Sequence, residues 1–109
     1  MAQGLDRAAL VDATRSGRVE WRMHALIRMA ERGILQRAVL AALESGEQIE
    51  DYPLDSACPA ALFFGRTVGG EPIHVVAAYD QVARKAYVIT AYVPDAEHFE
   101  PDWKTRKRP

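Results

Sequence analysis

At Gly46 the hydrophobic period of the chain changes, and this most constrains the fold. Before it, apolar residues recur every three to four positions: Leu35, Val39 and Leu43 lie four apart with Ala38 and Ala42 beside them. That spacing predicts a helix closed by Gly46. After it, the pattern alternates in twos. "EPIHVVAAYD" and "RKAYVITAYVP" read as the two strongest strands, joined by a short loop near Gln81 to Ala83. "EQIEDYP", broken by Pro53, and "AALFFGRTV" are two further strands. Gly69-Gly70 between the second and third reads as a two-residue hairpin turn.

Two more helices are expected upstream. Leu5 to Arg15 is bounded by Ser16-Gly17, and a helix from about Met23 to Arg32 ends at Gly33. "RVEW" between them is either a short strand or a linker. Helices followed by a meander give an α+β class: N-terminal helices on one face of a four-stranded, mainly antiparallel sheet. With 109 residues the chain has room for a single domain, residues 1–109, with a modest core.

The net charge of −1 argues against a protein that coats nucleic acid by bulk electrostatics. The charge is nevertheless uneven. Glu44, Glu47, Glu50, Asp51 and Asp55 form an acidic block without a base. Lys104, Arg106, Lys107 and Arg108 form a basic tail without an acid. The ordinary reading of each is a solvated surface. Cys58 is the one cysteine, which excludes an intramolecular disulfide, and "DSACPAAL" around it holds no activating base. No hydrophobic signal core and no apolar run of membrane-spanning length is present, so a cytoplasmic location is expected, with no membrane partner. The histidines at 24, 74 and 98 and Cys58 show no ligand spacing, so neither a metal nor another cofactor is expected.

Two polar sets interrupt otherwise apolar elements. On the second helix, His24, Arg28 and Arg32 recur at every fourth residue and share its polar arc. On the last two strands, a hairpin closing with Asp80 opposite Arg84 places His74 opposite Thr90 and Pro72 opposite Tyr92, so that His74, Thr90 and Tyr92 share a face. Histidine moves protons near neutral pH, and arginine matches phosphate geometry. Tyrosine stacks on a base or donates to a phosphate oxygen. Such parts suit RNA cleavage without a metal. A base takes the 2′-hydroxyl proton, the oxygen attacks phosphorus, and an acid protonates the leaving oxygen. His24 sits near a helix start, where the dipole favours the neutral imidazole that a general base needs. The ordinary alternatives are structural histidines and solvated or ion-paired arginines. His98, in "DAEHFEPDW", reads as surface.

The series "HALIRMAERGI", "AALESGEQIEDYP", "IHVVAAYD", "VITAYVPD" and "WKTRKR" resembles a family of small bacterial proteins known as a domain of unknown function. The resemblance spans roughly residues 20 to 108, with 19–95 as its core and 96–109 as a basic tail. One departure is Leu35, where the family pattern has a Ser or Thr helix cap. The order of elements is also similar to ribonuclease toxins of the RelE and MqsR type, grouped with barnase and the EndoU nucleases. That likeness implies a RelE/barnase-like fold and an endoribonuclease toxin of a toxin–antitoxin pair. RNA, including ribosome-associated messenger RNA, would be its substrate, and the resemblance to the unknown-function family, whose members often stand beside a small zinc-finger protein, implies a zinc-finger-type antitoxin as partner. The implied catalytic residues are His24, Arg28, His74, Thr90 and Tyr92. Arg32, Lys104 and Arg106 would hold RNA. A non-catalytic protein- or RNA-binding module is the competing expectation.

Overall fold

The computed structural model describes residues 4–52 and 58–108. Pro53 and Asp55, which entered the strand end and the acidic block above, and Pro109 at the end of the tail, lie outside the described residues. Three helices, α1 (Arg7–Arg15), α2 (Met23–Arg32) and α3 (Gln36–Ser45), alternate with and then precede five strands: β1 (Val19–Trp21), β2 (Glu47–Tyr52), β3 (Ala60–Arg66), β4 (Pro72–Asp80) and β5 (Lys85–Tyr92). The sheet order is β1-β5-β4-β3-β2. No helix among the described residues is long and apolar enough to cross a membrane.

The expected α+β class is found, but the sheet has five strands instead of four. The additional strand is "VEW". It lies parallel to β5, with Val19 opposite Ala86 and Trp21 opposite Val88. Backbone hydrogen bonds from Ala86 N–H to the Arg18 carbonyl (2.9 Å) and from Arg22 N–H to the Val88 carbonyl (3.1 Å) frame the pairing. Three residues are too short to show a period of two, which is why the sequence left strand and linker equivalent.

Local chemistry sets the helix ends. Asp6 caps α1, its carboxylate accepting from the Ala9 N–H at 3.1 Å. Gly33 ends α2 in the left-handed region (φ 67°), and Ile34 N–H reaches back to the Met29 carbonyl. Leu35 starts α3 without a side-chain cap, since leucine carries no acceptor for the free N–H groups of the first turn. The core lies between α1, α3 and one face of the sheet. Leu10, Ala13, Val39 and Leu43 meet Phe63, Ile73, Val75 and Val88, all fully buried. A side chain at Gly65 would place its Cβ 2.7 Å from that of Ala42, so glycine lets α3 lie close on β3.

Two expected turns differ. β3 and β4 are joined by a loop at 67–71, not a two-residue Gly-Gly turn, because Arg66 already pairs with Pro72. Thr67 organises that loop: its carbonyl accepts from Gly70 N–H and its hydroxyl from Glu71 N–H, while Gly70 supplies the positive φ of 87°. The β4–β5 hairpin closes with Asp80 opposite Lys85, one residue beyond the expected Arg84. A bulge then leaves Ile89 without a partner between the pairs Ala77–Val88 and Val76–Thr90. His74 therefore lies opposite Tyr92 rather than Thr90, and Pro72 faces Arg66 of β3. The two shifts sum to an even number of residues. Side chains alternate every residue, so His74, Thr90 and Tyr92 still share a face, the one away from the helical core.

Candidate functional site

β1 ends at Trp21, so beyond Val88 the edge of β5 opposite β4 has no strand beside it, and α2 packs along β5. Ala25 and Met29 of α2 enter the core. The polar arc of the same helix then necessarily looks elsewhere. It forms one wall of an open cleft of about 370 Å³, lined by His24, Arg28 and Arg32 from α2 and by Thr90, Tyr92, Val93 and Asp95 from β5 and the residues that follow it. Five of the eight residues named from the sequence thus meet in one place. Both walls diverge from the Arg22–Val88 hydrogen bond, so His24 and Thr90 lie near their junction by chain position. Arg32 and Asp95 lie further along.

The cleft carries an excess of cation. Arg28 has one distant partner, Glu31, at 3.9 Å on the same exposed helix. Arg32 makes no ion pair among the described residues. His24 and both arginines are exposed. Asp95 was not foreseen. It is aimed by a turn in which its carboxylate accepts from the His98 N–H (2.9 Å) and from His98 Nδ1 (2.7 Å). That hydrogen bond from His98 holds the Asp95 carboxyl below its ordinary range. An Asp three residues before a potential donor, after Pro94, was the signal available in the sequence. Asp95, Glu97 and His98 bring three donor atoms within 4.8 Å of one another at the surface. The His98–Asp95 hydrogen bond accounts for this grouping as turn chemistry.

His74 is placed elsewhere. It is fully buried, behind Tyr92 with respect to the cleft. Its Nε2–H donates to the Trp103 carbonyl at 2.6 Å, which fixes the tautomer and leaves Nδ1 to accept a longer hydrogen bond from the Tyr92 hydroxyl at 3.4 Å. The rings of Phe99 and Tyr92 stand edge-on to it at 4.5 and 5.3 Å. Burial lowers its pKa from the ordinary 6.5, favouring the neutral ring. Burial also pushes the Tyr92 phenol up, so it stays protonated at neutral pH.

Lys104 and Arg106 do not line the cleft and are engaged with acidic side chains of β2. Lys104 Nζ lies 3.2 Å from Glu47, and Arg106 holds Glu50 through Nε (2.5 Å) and Nη2 (3.2 Å). Tyr52 donates a further hydrogen bond to Glu50. The Arg106 guanidinium is the main reason that the Glu50 carboxyl lies below its usual range. The acidic block and the basic tail, each read as solvated surface, are thus partners of one another across more than fifty residues of chain. Phe99, buried in an otherwise polar stretch, pins this tail to the sheet. The Trp103 carbonyl adds a second attachment by accepting the hydrogen bond from His74.

A sequence-family profile described as a domain of unknown function, DUF4258, matches residues 21–93, which include the cleft except Asp95. Neither curated proteins nor solved structures give a significant match.

Proposed function

We propose, from the premise that this chain belongs to the DUF4258 family of domains of unknown function, that its cleft binds RNA and cleaves it by 2′-hydroxyl attack. One observation carries this reading: an imidazole, two guanidiniums, a phenol and a hydroxyl line a single open cleft. Arg28 neutralises the scissile phosphodiester, and Arg32 adds positive charge further along the same wall. His24 takes the 2′-hydroxyl proton, and the freed oxygen attacks the adjacent phosphorus. The bond from phosphorus to the 5′-oxygen breaks. Tyr92, kept protonated by burial, gives that oxygen a proton. The products are a 2′,3′-cyclic phosphate and a 5′-hydroxyl end, and water returns both side chains to their starting state. Thr90 hydrogen-bonds the substrate beside Tyr92.

His74 has no part in proton transfer to RNA in this scheme, and Lys104 and Arg106 hold the fold instead of the substrate. The role as a toxin, with messenger RNA on the ribosome as target, is supported by the likeness of element order to RelE and MqsR, and a zinc-finger antitoxin as partner by the resemblance to the unknown-function family. The non-catalytic RNA-binding module is favoured by a different fact, that only one histidine lines the cleft. Incubation of the protein with labelled mixed-sequence RNA in EDTA separates the two. Cyclic phosphate ends that disappear in Y92F and H24A support cleavage. Binding with intact RNA supports the module.

A further inference from the structure

The cleft wall formed by α2 is a ruled edge. His24, Arg28 and Arg32 recur at every fourth residue, and a helix rises ~1.5 Å per residue, so successive side chains in the row stand ~6 Å apart along the axis. This is about the separation of neighbouring phosphates along an extended single strand. A lone phosphate ligand has no use for a third member of the row. Arg28 and Arg32 are one step apart, both exposed, both in the cleft, and oriented by the same helix. The cleft, about 370 Å³, falls at the small end of the ~300–1,000 Å³ of ordinary ligand sites. It takes a strand segment, and not the full width of a duplex.

Resting on the RNA-binding reading above, we infer that α2 holds two consecutive phosphates of a single-stranded RNA, the first between Arg28, His24 and Tyr92 and the second at Arg32. Asp95 ends the track. Its carboxylate, fixed by the His98 turn at the end of the opposite wall, repels a further phosphate and presents an acceptor to a base amino group. Lys104 and Arg106 of the basic tail add nothing to the track, because they are paired with Glu47 and Glu50. The smallest ligand that fills the site therefore carries two phosphodiesters.

The test uses 2′-O-methyl oligonucleotides, which lack the attacking hydroxyl and so report binding without cleavage. Affinities are measured by competition for a dinucleotide and a trinucleotide over a salt series. For the unmodified protein the trinucleotide should bind about tenfold more tightly. Its logarithmic salt slope should be steeper by ~0.7, the increment for one more phosphate on a single strand. R32Q should remove both increments, so that the trinucleotide binds only as well as the dinucleotide. R28Q should weaken both ligands and keep the step between them. A length step that survives in R32Q, equal weakening of both ligands by R32Q, or no binding of either ligand would overturn the inference. RNA cleavage is scored separately. Intact RNA with the length step present removes the catalytic reading and leaves the phosphate track standing. Cleavage without the step does the reverse.

Discussion

His24 on α2 and His74 on β4 are the same residue type in contrasting surroundings. Around His24 the side chains are exposed and sparsely paired: Arg28 reaches Glu31 only at 3.9 Å, and Arg32 has no ion pair among the described residues. Around His74 every polar atom is engaged. Trp103 takes one ring nitrogen, Tyr92 the other, and Glu50 and Arg106 close over the site from β2 and the tail. No buried side-chain nitrogen or oxygen among the described residues lacks a partner. A saturated network rigidifies, whereas the exposed cations of the cleft keep unused hydrogen-bonding capacity. The distinction lies in available hydrogen-bonding capacity and not in residue type. Tyr92 belongs to both regions, with its ring against His74 and its side chain lining the cleft.

The largest effect that could break this contrast is catalytic. His24→Ala should reduce RNA cleavage by ~100-fold or more, the scale of a lost general base, while thermal stability moves by less than ~0.5 kcal/mol. A calorimetric scan beside a cleavage assay reads both. His74→Ala should do the converse to stability. It opens a cavity beside Phe99 and leaves the half-buried Trp103 carbonyl without its donor, at a cost of ~2–4 kcal/mol in urea unfolding.

A pH series sharpens the same contrast. The folded pKa of His74 lies below its unfolded value near 6.5, so the unfolded chain binds the proton more readily. Stability should therefore be full above that value and decline as pH falls below it, until the lowered folded pKa is reached. His74→Gln should lack this particular decline, measured as unfolding free energy between about pH 7.5 and 5. The smallest effect concerns the tail. Glu50→Gln removes the ionic partner of Arg106 and should cost ~1 kcal/mol or less, decreasing with added salt because both side chains are partly exposed. Denaturant midpoints at low and high salt check it.

The sequence was most informative where a period ran long enough to be unambiguous. α2 and α3 lie where the spacing of Met23 to Arg32 and of Leu35 to Leu43 puts them, and the row His24, Arg28, Arg32 is legible from a four-residue repeat alone. Short or compensating features were not legible. Val19–Trp21 is too brief to declare itself a strand. The hairpin offset and the bulge at Ile89 leave no mark in composition, yet together they preserve the shared face of His74, Thr90 and Tyr92 while changing who stands opposite whom. Burial was the hardest to foresee. Nothing local to "PIHVV" tells that Phe99 and the Trp103 carbonyl, far along the chain, cover His74. The acidic block and basic tail carried a usable signal, because two complementary runs in one small domain can find each other. Read separately, each looks like solvated surface.

The claim that one histidine serves the ligand and the other the fold has a direct test. Initial rates of cleavage of a labelled single-stranded RNA in EDTA are compared for the wild type, H24A and H74Q, each at a temperature where circular dichroism shows it folded. The account predicts cyclic phosphate products from the wild type and from H74Q, and loss of cleavage in H24A. Cleavage by H24A at the wild-type rate, or its loss in folded H74Q alone, would contradict it.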